Sequence, residues 1–155
     1  LKITEKLRSY WTEMFITQLD KFPSHSLFLV REKFNSSNQK QQEALNFANF
    51  KNPTVTLMLG IFLGMFGADR FYIGSMGIGA LKAFILFFIF VVLGIIDAAH
   101  IDGAMSDGAY DDALGISVLI LVVYLIFVAV DIFLSFKACK EKNLQAFIEI
   151  LEIYK

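Results

Sequence analysis

The chain has 155 residues and a net charge of −1, and its composition is 56% hydrophobic and 15% aromatic. A net charge this close to zero creates no field that would favour nucleic acid, so we predict no nucleic-acid partner. A single cysteine, Cys139, excludes an intrachain disulfide, and the only histidines, His25 and His100, lie far apart in the sequence. We therefore predict neither a metal site nor a cofactor.

Residues 1–52 predict a small helical head. Charges run through its first twenty or so residues, so we expect no secretory signal there. Apolar spacing indicates a helix over 3–19, which could lie on the membrane surface or pack on the next two helices of a soluble head. Its apolar stripe and the aromatic residues beside it are Ile3, Leu7, Tyr10 and Met14, with Trp11 and Phe15.

Two shorter helices are expected after Pro23, which interrupts the pattern. A serine near the run SLFLV could cap the first helix, although the same run also fits a strand. Ser36 and Gln39 fit a capping box for the second helix. The pair Asn52-Pro53 then predicts a new helix start, because it places a cap residue before a proline at the first helical position.

Residues 53–136 predict a membrane domain, because they contain three apolar segments at about 54–73, 78–96 and 115–136. The second and third segments are long enough to cross about 30 Å of hydrocarbon. The first segment could cross if its helix continues to the end, or it could turn back at Gly67 as a re-entrant half-helix. We therefore predict an all-α fold, an integral membrane hairpin or bundle.

The first apolar segment combines glycines with charge. Gly60, Gly64 and Gly67 interrupt it, and Asp69 and Arg70 follow side by side. Small residues at this spacing favour close helix packing in lipid. An acid and a base at membrane depth are costly unless they pair or reach water. We expect this stretch to organise the membrane domain.

Charges also occur in the other two apolar segments. Lys82 lies in the first turn of the second segment, where we expect it to extend toward the lipid headgroups. Asp131 lies well inside the third segment, where its carboxylate could reach water at the interface or pair with Arg70. Between these segments, 97–114 carries several aspartates and no Lys or Arg. The EF-hand spacing is absent, so a solvated acidic loop is predicted rather than a calcium site.

Residues 137–155 predict a basic amphipathic tail that lies on the membrane or on the head. Lys and Arg are frequent before Thr54 and after Phe136, and the acidic loop 97–114 has none. The positive-inside rule therefore predicts cytoplasmic termini and an even number of crossings. One of the three apolar segments would then fail to cross, and the short first segment is the candidate.

The run LGIFLGMFGADRFYIGSMGIGALK resembles the TM-two domain family, in which a glycine-rich first helix leads into a D-R-F motif. Asp69, Arg70 and Phe71 match that motif. The resemblance implies a short membrane protein with two transmembrane helices, and the family's function is mostly unassigned. The glycines that match the family pattern are Gly60, Gly64, Gly67, Gly74, Gly77 and Gly79.

Other runs resemble a bacterial, Bacteroidetes-like subgroup of this family with an N-terminal helical head, notably VREKF at 30–34 and FKNPT at 50–54. That resemblance implies a multi-pass protein of the bacterial inner, cytoplasmic membrane. The family's second helix ends in a W-x-x-I-D-x-F-L-I pattern. Asp131 is the preferred counterpart because DIFL and KEKN follow it, while Asp97 is a rival at the more usual spacing.

Three classes of function can be compared. The glycine faces and the phenylalanine-rich segments favour a non-enzymatic membrane protein that self-associates or serves as an accessory subunit, with lipid and other membrane proteins as partners. The alternative is a small oligomeric channel or pore-forming effector lined by Asp97, Asp131 or the acidic loop. An enzyme is not predicted, because the one pair of acids, Asp69 and Asp131, has Arg70 beside it. Structural roles are predicted for Asp69, Arg70, Phe71, Asp131, Gly60, Gly64, Gly67, Gly74 and Gly79.

Overall fold

The computed structural model describes residues 2–155, with the side chains of 2–5, 7 and 8 outside that description. The described chain is 85% helical and contains no strand, so the predicted all-α fold is confirmed. Residues 2–155 form seven α-helices: α1 (Lys2–Ile16), α2 (Leu27–Ser36), α3 (Gln39–Phe47), α4 (Pro53–Leu63), α5 (Ala68–Tyr72), α6 (Met76–Ile101) and α7 (Asp107–Ile153).

Two helices in the described part of the chain, α6 and α7, are long and apolar enough to cross a membrane. They contain the second and third predicted apolar segments. The first predicted segment, 54–73, is not one helix, because a 3-10 turn at Gly64–Phe66 follows α4 and Gly67 then adopts a left-handed backbone with φ of 75°. The apolar stretch Pro53–Phe66 is shorter than a membrane-crossing helix.

The predicted acidic loop over 97–114 is wrong for most of its length. Asp97 lies within α6, and α7 already begins at Asp107, so the connection between the helices is short. A carboxylate in the first turn of a helix interacts favourably with the helix dipole, which explains why Asp107 begins a helix. Two side-chain contacts join the helix ends: the Tyr110 hydroxyl donates to Asp97 at 2.9 Å, and His100 Nε2 lies 3.1 Å from Asp107 Oδ1.

The predicted tail, 137–155, is not a separate helix. Helix α7 continues from the third apolar segment to Ile153 without a break. The physical reason is that the sequence after Gly115 contains no glycine or proline, so nothing interrupts the helical backbone.

The chain forms two compact units, and the first comprises the chain up to Val55 together with Phe136–Lys155. Its core is aromatic, with the rings of Phe15 and Phe34 stacked 4.1 Å apart between centroids. The last turns of α7 contribute the fully buried Phe147 to this core. The buried core residues are Phe15, Phe22, Val30, Phe34, Leu45, Phe50 and Phe147.

Polar bonds fix the last part of α7 within this unit. The Asn143 amide donates to the carbonyls of Lys21 at 2.9 Å and Lys51 at 2.7 Å, and its oxygen accepts from the Lys51 backbone at 2.9 Å. Gln41 Nε2 also donates to the Leu151 carbonyl at 2.7 Å. Residues 137–155 therefore pack on helices of the head.

The first helix packs through only part of its predicted stripe. The side chains of Ile3 and Leu7 lie outside the described residues, and Tyr10 is exposed. Phe15, expected beside the stripe, is instead buried in the core, and the carbonyl of Trp11 accepts from Asn46 Nδ2 at 3.2 Å. Helix α1 thus packs against α3 within the head.

Local signals in the head were predicted with mixed success. The run SLFLV lies in and just before α2, so the strand alternative is wrong. The capping box is formed by Asn38 and Gln41 rather than by Ser36 and Gln39, with the two reciprocal bonds at 2.8 and 2.9 Å. The helix start at Asn52-Pro53 is confirmed, since Asn52 Oδ1 accepts from the Thr54 backbone at 2.9 Å.

The second unit, Thr56–Ser135, contains a chain reversal beside α7. Gly60 lies against Ile132 and Gly64 against Val128, so α4 runs antiparallel to α7. The Met65 carbonyl then accepts from the Tyr124 hydroxyl at 2.6 Å.

After this point the chain turns back along α7. Asp69, only four residues beyond Met65, bonds to Ser135. Tyr124 and Ser135 are separated by about 16 Å along the helix axis, at 1.5 Å per residue. The stretch from α4 to α5 therefore enters beside α7 and returns on the same side.

Replacing Phe147 by alanine should destabilise the first unit by about 3–5 kcal/mol, because it removes a fully buried ring from the aromatic core. Unfolding by denaturant, followed through the fluorescence of the single tryptophan, Trp11, measures this cost. Phe28, which is 80% exposed, is the matched control, and Phe28→Ala should change stability by less than about 0.5 kcal/mol. Equal effects of the two variants would contradict the described core.

Candidate functional site

Five polar side chains from three helices meet in the second unit and form what we call the charge cluster. Helix α5 provides Asp69 and Arg70, α6 provides Lys82, and α7 provides Asp131 and Ser135. All five are buried. The cluster is the candidate functional site.

Arg70 and Asp131 form a two-point ion pair. Arg70 Nε donates to Asp131 Oδ2 at 2.9 Å, and its Nη2 donates to Oδ1 of the same carboxylate. Only 6% of Arg70 and 4% of Asp131 is exposed. A planar guanidinium matches both oxygens of a carboxylate, so this geometry fixes direction as well as distance. The structure thus contains the pair considered from the sequence.

Lys82 connects the two acids of the cluster. Its ammonium lies 3.2 and 3.3 Å from the two carboxylate oxygens of Asp69 and 2.5 Å from Asp131 Oδ2. The expectation that Lys82 extends to the headgroups is wrong, because the residue is fully buried. The ammonium of Lys82 points into the protein because it binds two carboxylates there, those of Asp69 and Asp131. Ser135 completes the arrangement by donating its hydroxyl to Asp69 Oδ2.

The cluster is electrically balanced, with two carboxylates and two cations. An isolated charge is very costly in a low-dielectric interior, whereas a neutral, fully hydrogen-bonded set is tolerated. Lys82 lies between Asp69 and Asp131, so these acids do not form a carboxylate dyad that shares a proton. Chemically, the arrangement works as a clamp that ties α5, α6 and α7 together.

Glycines place α5 where its two charges reach the other helices. Gly67 has a φ of 75°, and a side chain there would lie 2.5 Å from the Gly79 carbonyl oxygen. This backbone contact sets α5 against the first turns of α6 and requires glycine at position 67. Gly74, with a φ of 78°, provides the next turn, and the Ser75 backbone donates to the Arg70 carbonyl at 2.8 Å.

Tyr124 of α7 forms a hydrogen bond with the turn at Gly64–Phe66, where the helical backbone ends. Its hydroxyl donates to the Met65 carbonyl, which the end of the helical backbone leaves available, and the Lys82 carbonyl lies 3.1 Å away. Tyr124 also packs with Leu86, Ile89 and Val128 in the apolar core of the second unit. A carbonyl at a helix break needs such a donor when no water is present.

The predicted site residues have three different placements. Asp69, Arg70 and Asp131 come together in the cluster, whereas Phe71 stands outside it, 43% exposed, with its ring against Gly79. Among the glycines, those at 60, 64, 67 and 79 make close contacts, Gly74 forms a turn, and Gly77 has open space around it.

The sequence analysis missed Lys82, Ser135 and the role of the Tyr124 hydroxyl. For Lys82 a signal was available: the apolar segments contain two acids and two bases, Asp69 and Asp131 with Arg70 and Lys82, so pairing all four restores neutrality. Ser135 and Tyr124 carry no comparable signal, since each is an ordinary residue of an apolar helix.

The aspartates near the junction of α6 and α7 form no site of this kind. Asp97 and Asp107 are exposed and bond to Tyr110 and His100. Within the described part of the chain, no group of three or more His, Cys, Asp or Glu side chains could hold a metal ion.

Part of this chain is similar to known proteins. Residues 49–99 match the TM2 domain. This range holds the glycine-rich stretch, α5 and most of α6, and therefore Asp69, Arg70 and Lys82. The TM2 match and the two apolar helices together indicate a membrane protein.

Two curated relatives carry the TM2 domain in their names. A 27-residue stretch is 70% identical to the TM2 domain-containing protein biscotti of Drosophila melanogaster and covers 17% of this chain and 15% of that protein. A 74-residue stretch is 35% identical to a TM2 domain-containing protein of Caenorhabditis elegans and covers 46% of this chain and 41% of the relative. The matched parts thus span less than half of these relatives, and no solved structure matches the chain.

The TM2 match bears on the choice between the two candidate family aspartates. The matched range contains Asp97 and ends before Asp131. The preferred assignment of Asp131 thus lies outside the match, although Asp131 is the acid that joins the cluster. The bacterial subgroup stays a prediction, because both of these relatives are animal proteins.

Breaking one ion pair of the cluster should cost more than removing both of its members. Asp131→Asn leaves two cations facing one carboxylate and should destabilise the protein by about 3–5 kcal/mol. Adding Arg70→Gln restores neutrality around Asp69 and Lys82, so the double variant should be more stable than Asp131→Asn alone. Unfolding in mixed detergent micelles of the unchanged protein, the two single variants Asp131→Asn and Arg70→Gln, and the double variant measures the coupling free energy between the two residues. Asp102→Asn, at the exposed turn after α6, is the control, and strictly additive costs would refute the pairing.

Gly67→Ala should disrupt the placement of α5. The left-handed backbone alone costs a non-glycine residue about 1–2 kcal/mol, and the contact with the Gly79 backbone adds to that. Gly77→Ala is the matched control, because it lies in a helix with nothing within 4 Å and should be neutral or slightly stabilising. Thermal unfolding in detergent compares the two variants, and similar melting temperatures would argue against the described turn.

Proposed function

We propose that this chain is a non-enzymatic integral membrane protein that acts as a self-associating or accessory subunit of a larger membrane assembly. One observation carries the proposal: the buried ionisable groups of the second unit neutralise one another, while the apolar helices remain mostly uncovered. Only 22% of the most apolar stretch of α6 and 17% of that of α7 is buried within the protein. Such surfaces need lipid or neighbouring helices.

The uncovered surface is rich in large side chains. Helix α6 exposes several phenylalanines, and α7 exposes valine, leucine and isoleucine along its apolar part. Among the most exposed are Phe84, Phe87, Phe88, Phe90, Val123, Ile126 and Phe133. Contacts to neighbouring subunits would therefore use bulky residues.

The glycine faces do not support self-association. Gly60 and Gly64 already receive Ile132 and Val128 of the same chain, and Gly67 contacts Gly79. The role expected for them between molecules is met inside one molecule. An interface with a second copy or another subunit would lie on the outward faces of α6 and α7 instead.

The proposed topology has two crossings. Helices α6 and α7 would cross, and the stretch from α4 to α5 would be re-entrant. Both termini would then lie on the same side, and the abundance of Lys and Arg near them favours the cytoplasm. If the chain is bacterial, as the subgroup resemblance implies, this membrane is the inner membrane.

A channel is less well supported than a subunit role. The acids named as possible pore residues are engaged: Asp131 with Arg70 and Lys82, and Asp97 with Tyr110. A cation pathway needs carboxylates that face water and can release their ion partners. No observation in the described residues provides such a path.

Intact-mass measurement of the protein extracted from native membranes in mild detergent tests the proposal. We expect a defined homo-oligomer or a stable complex with another membrane protein. Phe87→Lys and Val123→Lys place charges on the outward faces and should dissociate the assembly, since a charge on a helix–helix contact in lipid is costly. Phe28→Lys, on the head, is the matched control and should leave it intact.

A clean monomer from native membranes, with no protein co-purifying, would overturn the subunit proposal. Cation leakage from reconstituted vesicles distinguishes a channel from a subunit without a pore. Assembled protein that leaves the vesicles tight to cations supports a subunit, whereas cation leakage abolished by Asp97→Asn, at an exposed residue, would favour a channel.

A further inference from the structure

We propose that the stretch from α4 to α5, residues 53–72, is a conditional membrane segment, held in the bilayer by α7 and released toward water when its contacts with α7 are lost. We call residues 53–72 the re-entrant segment, and this inference depends on the membrane location proposed above. Two observations carry the proposal. The chain reverses direction beside α7, and the ion pair between Arg70 and Asp131 joins this segment to α7.

The re-entrant segment cannot cross a membrane by itself. Helix α4, Pro53–Leu63, has a length of only about 16 Å at 1.5 Å per residue, against about 30 Å of hydrocarbon. Two charged residues, Asp69 and Arg70, follow in α5. A short apolar helix ending in charges and an irregular turn is stable at membrane depth only when protein surrounds those polar groups.

Helix α7 provides the missing charge. Without Asp131, the cluster would hold two cations, Arg70 and Lys82, against the single carboxylate of Asp69. The resulting net positive charge would favour transfer of α5 to water. With Asp131 present the cluster is neutral, and both guanidinium contacts of Arg70 are made to that carboxylate.

Helix α7 also supplies two contacts of other kinds. The Tyr124 hydroxyl satisfies the Met65 carbonyl at the break of the backbone. Ile132 and Val128 fill the surface that Gly60 and Gly64 leave open. Charge, backbone hydrogen bonding and packing of the re-entrant segment thus depend on one helix face. Loss of a single contact there shifts the balance between the inserted and released states.

Cysteine labelling with a membrane-impermeant maleimide in intact vesicles tests this inference. The reporters are Phe62→Cys on α4 and Phe87→Cys on α6, whose native side chains are 76% and 65% exposed and would contact lipid. Both are placed in a Cys139→Ala background, because Cys139 is the single native cysteine. In the otherwise unchanged protein, both reporters should be protected.

Asp131→Asn should raise the labelling rate at position 62 by about tenfold or more and leave position 87 protected. Tenfold corresponds to a shift of about 1.4 kcal/mol between the inserted and released states. Adding Arg70→Gln should restore much of the protection, because neutrality returns. Tyr124→Phe, which removes one hydroxyl, should produce a smaller rise in the same direction.

Each result separates this inference from the proposed membrane location. Labelling at position 87 in the otherwise unchanged protein would contradict the membrane location itself. Protection at position 87 combined with an unchanged rate at position 62 in Asp131→Asn would overturn the conditional segment alone, as would labelling at position 62 before any change. If Asp131→Asn fails to accumulate, Tyr124→Phe decides, and equal rates with and without its hydroxyl would overturn the inference.

Discussion

The neutrality of the charge cluster is the constraint on which the second unit depends. Asp69, Arg70, Lys82 and Asp131 come from three helices, and among the described contacts every ion pair that they form is with another member of the cluster. Burial makes each charge costly, and pairing makes the set tolerable. The cluster therefore determines which helices must be neighbours, and the glycine contact at Gly67 allows α5 to reach them.

Sequence patterns predicted the parts of the fold that follow from local chemistry. Long apolar runs predicted α6 and α7, and Asn52-Pro53 predicted the start of α4. The same reasoning failed where a tertiary partner decides. The aspartates over 97–114 suggested a loop, yet Asp97 lies within α6, where it accepts a hydrogen bond from Tyr110, and Asp107 begins α7, where the helix dipole favours a carboxylate.

The part of the site that could be predicted from the sequence is the pairing of charged residues within apolar segments. Arg70 and Asp131 could be paired from the sequence because isolated charges in apolar segments need partners. Lys82 was assigned to the headgroups because its position near a helix start permits that extension, and sequence position alone does not reveal two carboxylates within reach. Ser135 and Tyr124 act through one hydroxyl each, and only the three-dimensional arrangement shows which acceptor that hydroxyl meets.

The location of Asp131 outside the TM2 match has a consequence for modularity. Residues 49–99 contain Asp69, Arg70 and Lys82, so the buried part of the matched domain carries one excess positive charge. The fourth member of the cluster comes from a helix that begins after the match ends. In this chain the matched region is therefore not electrically balanced by itself. Transferred to another protein, it would need a carboxylate from that protein to neutralise its buried charges.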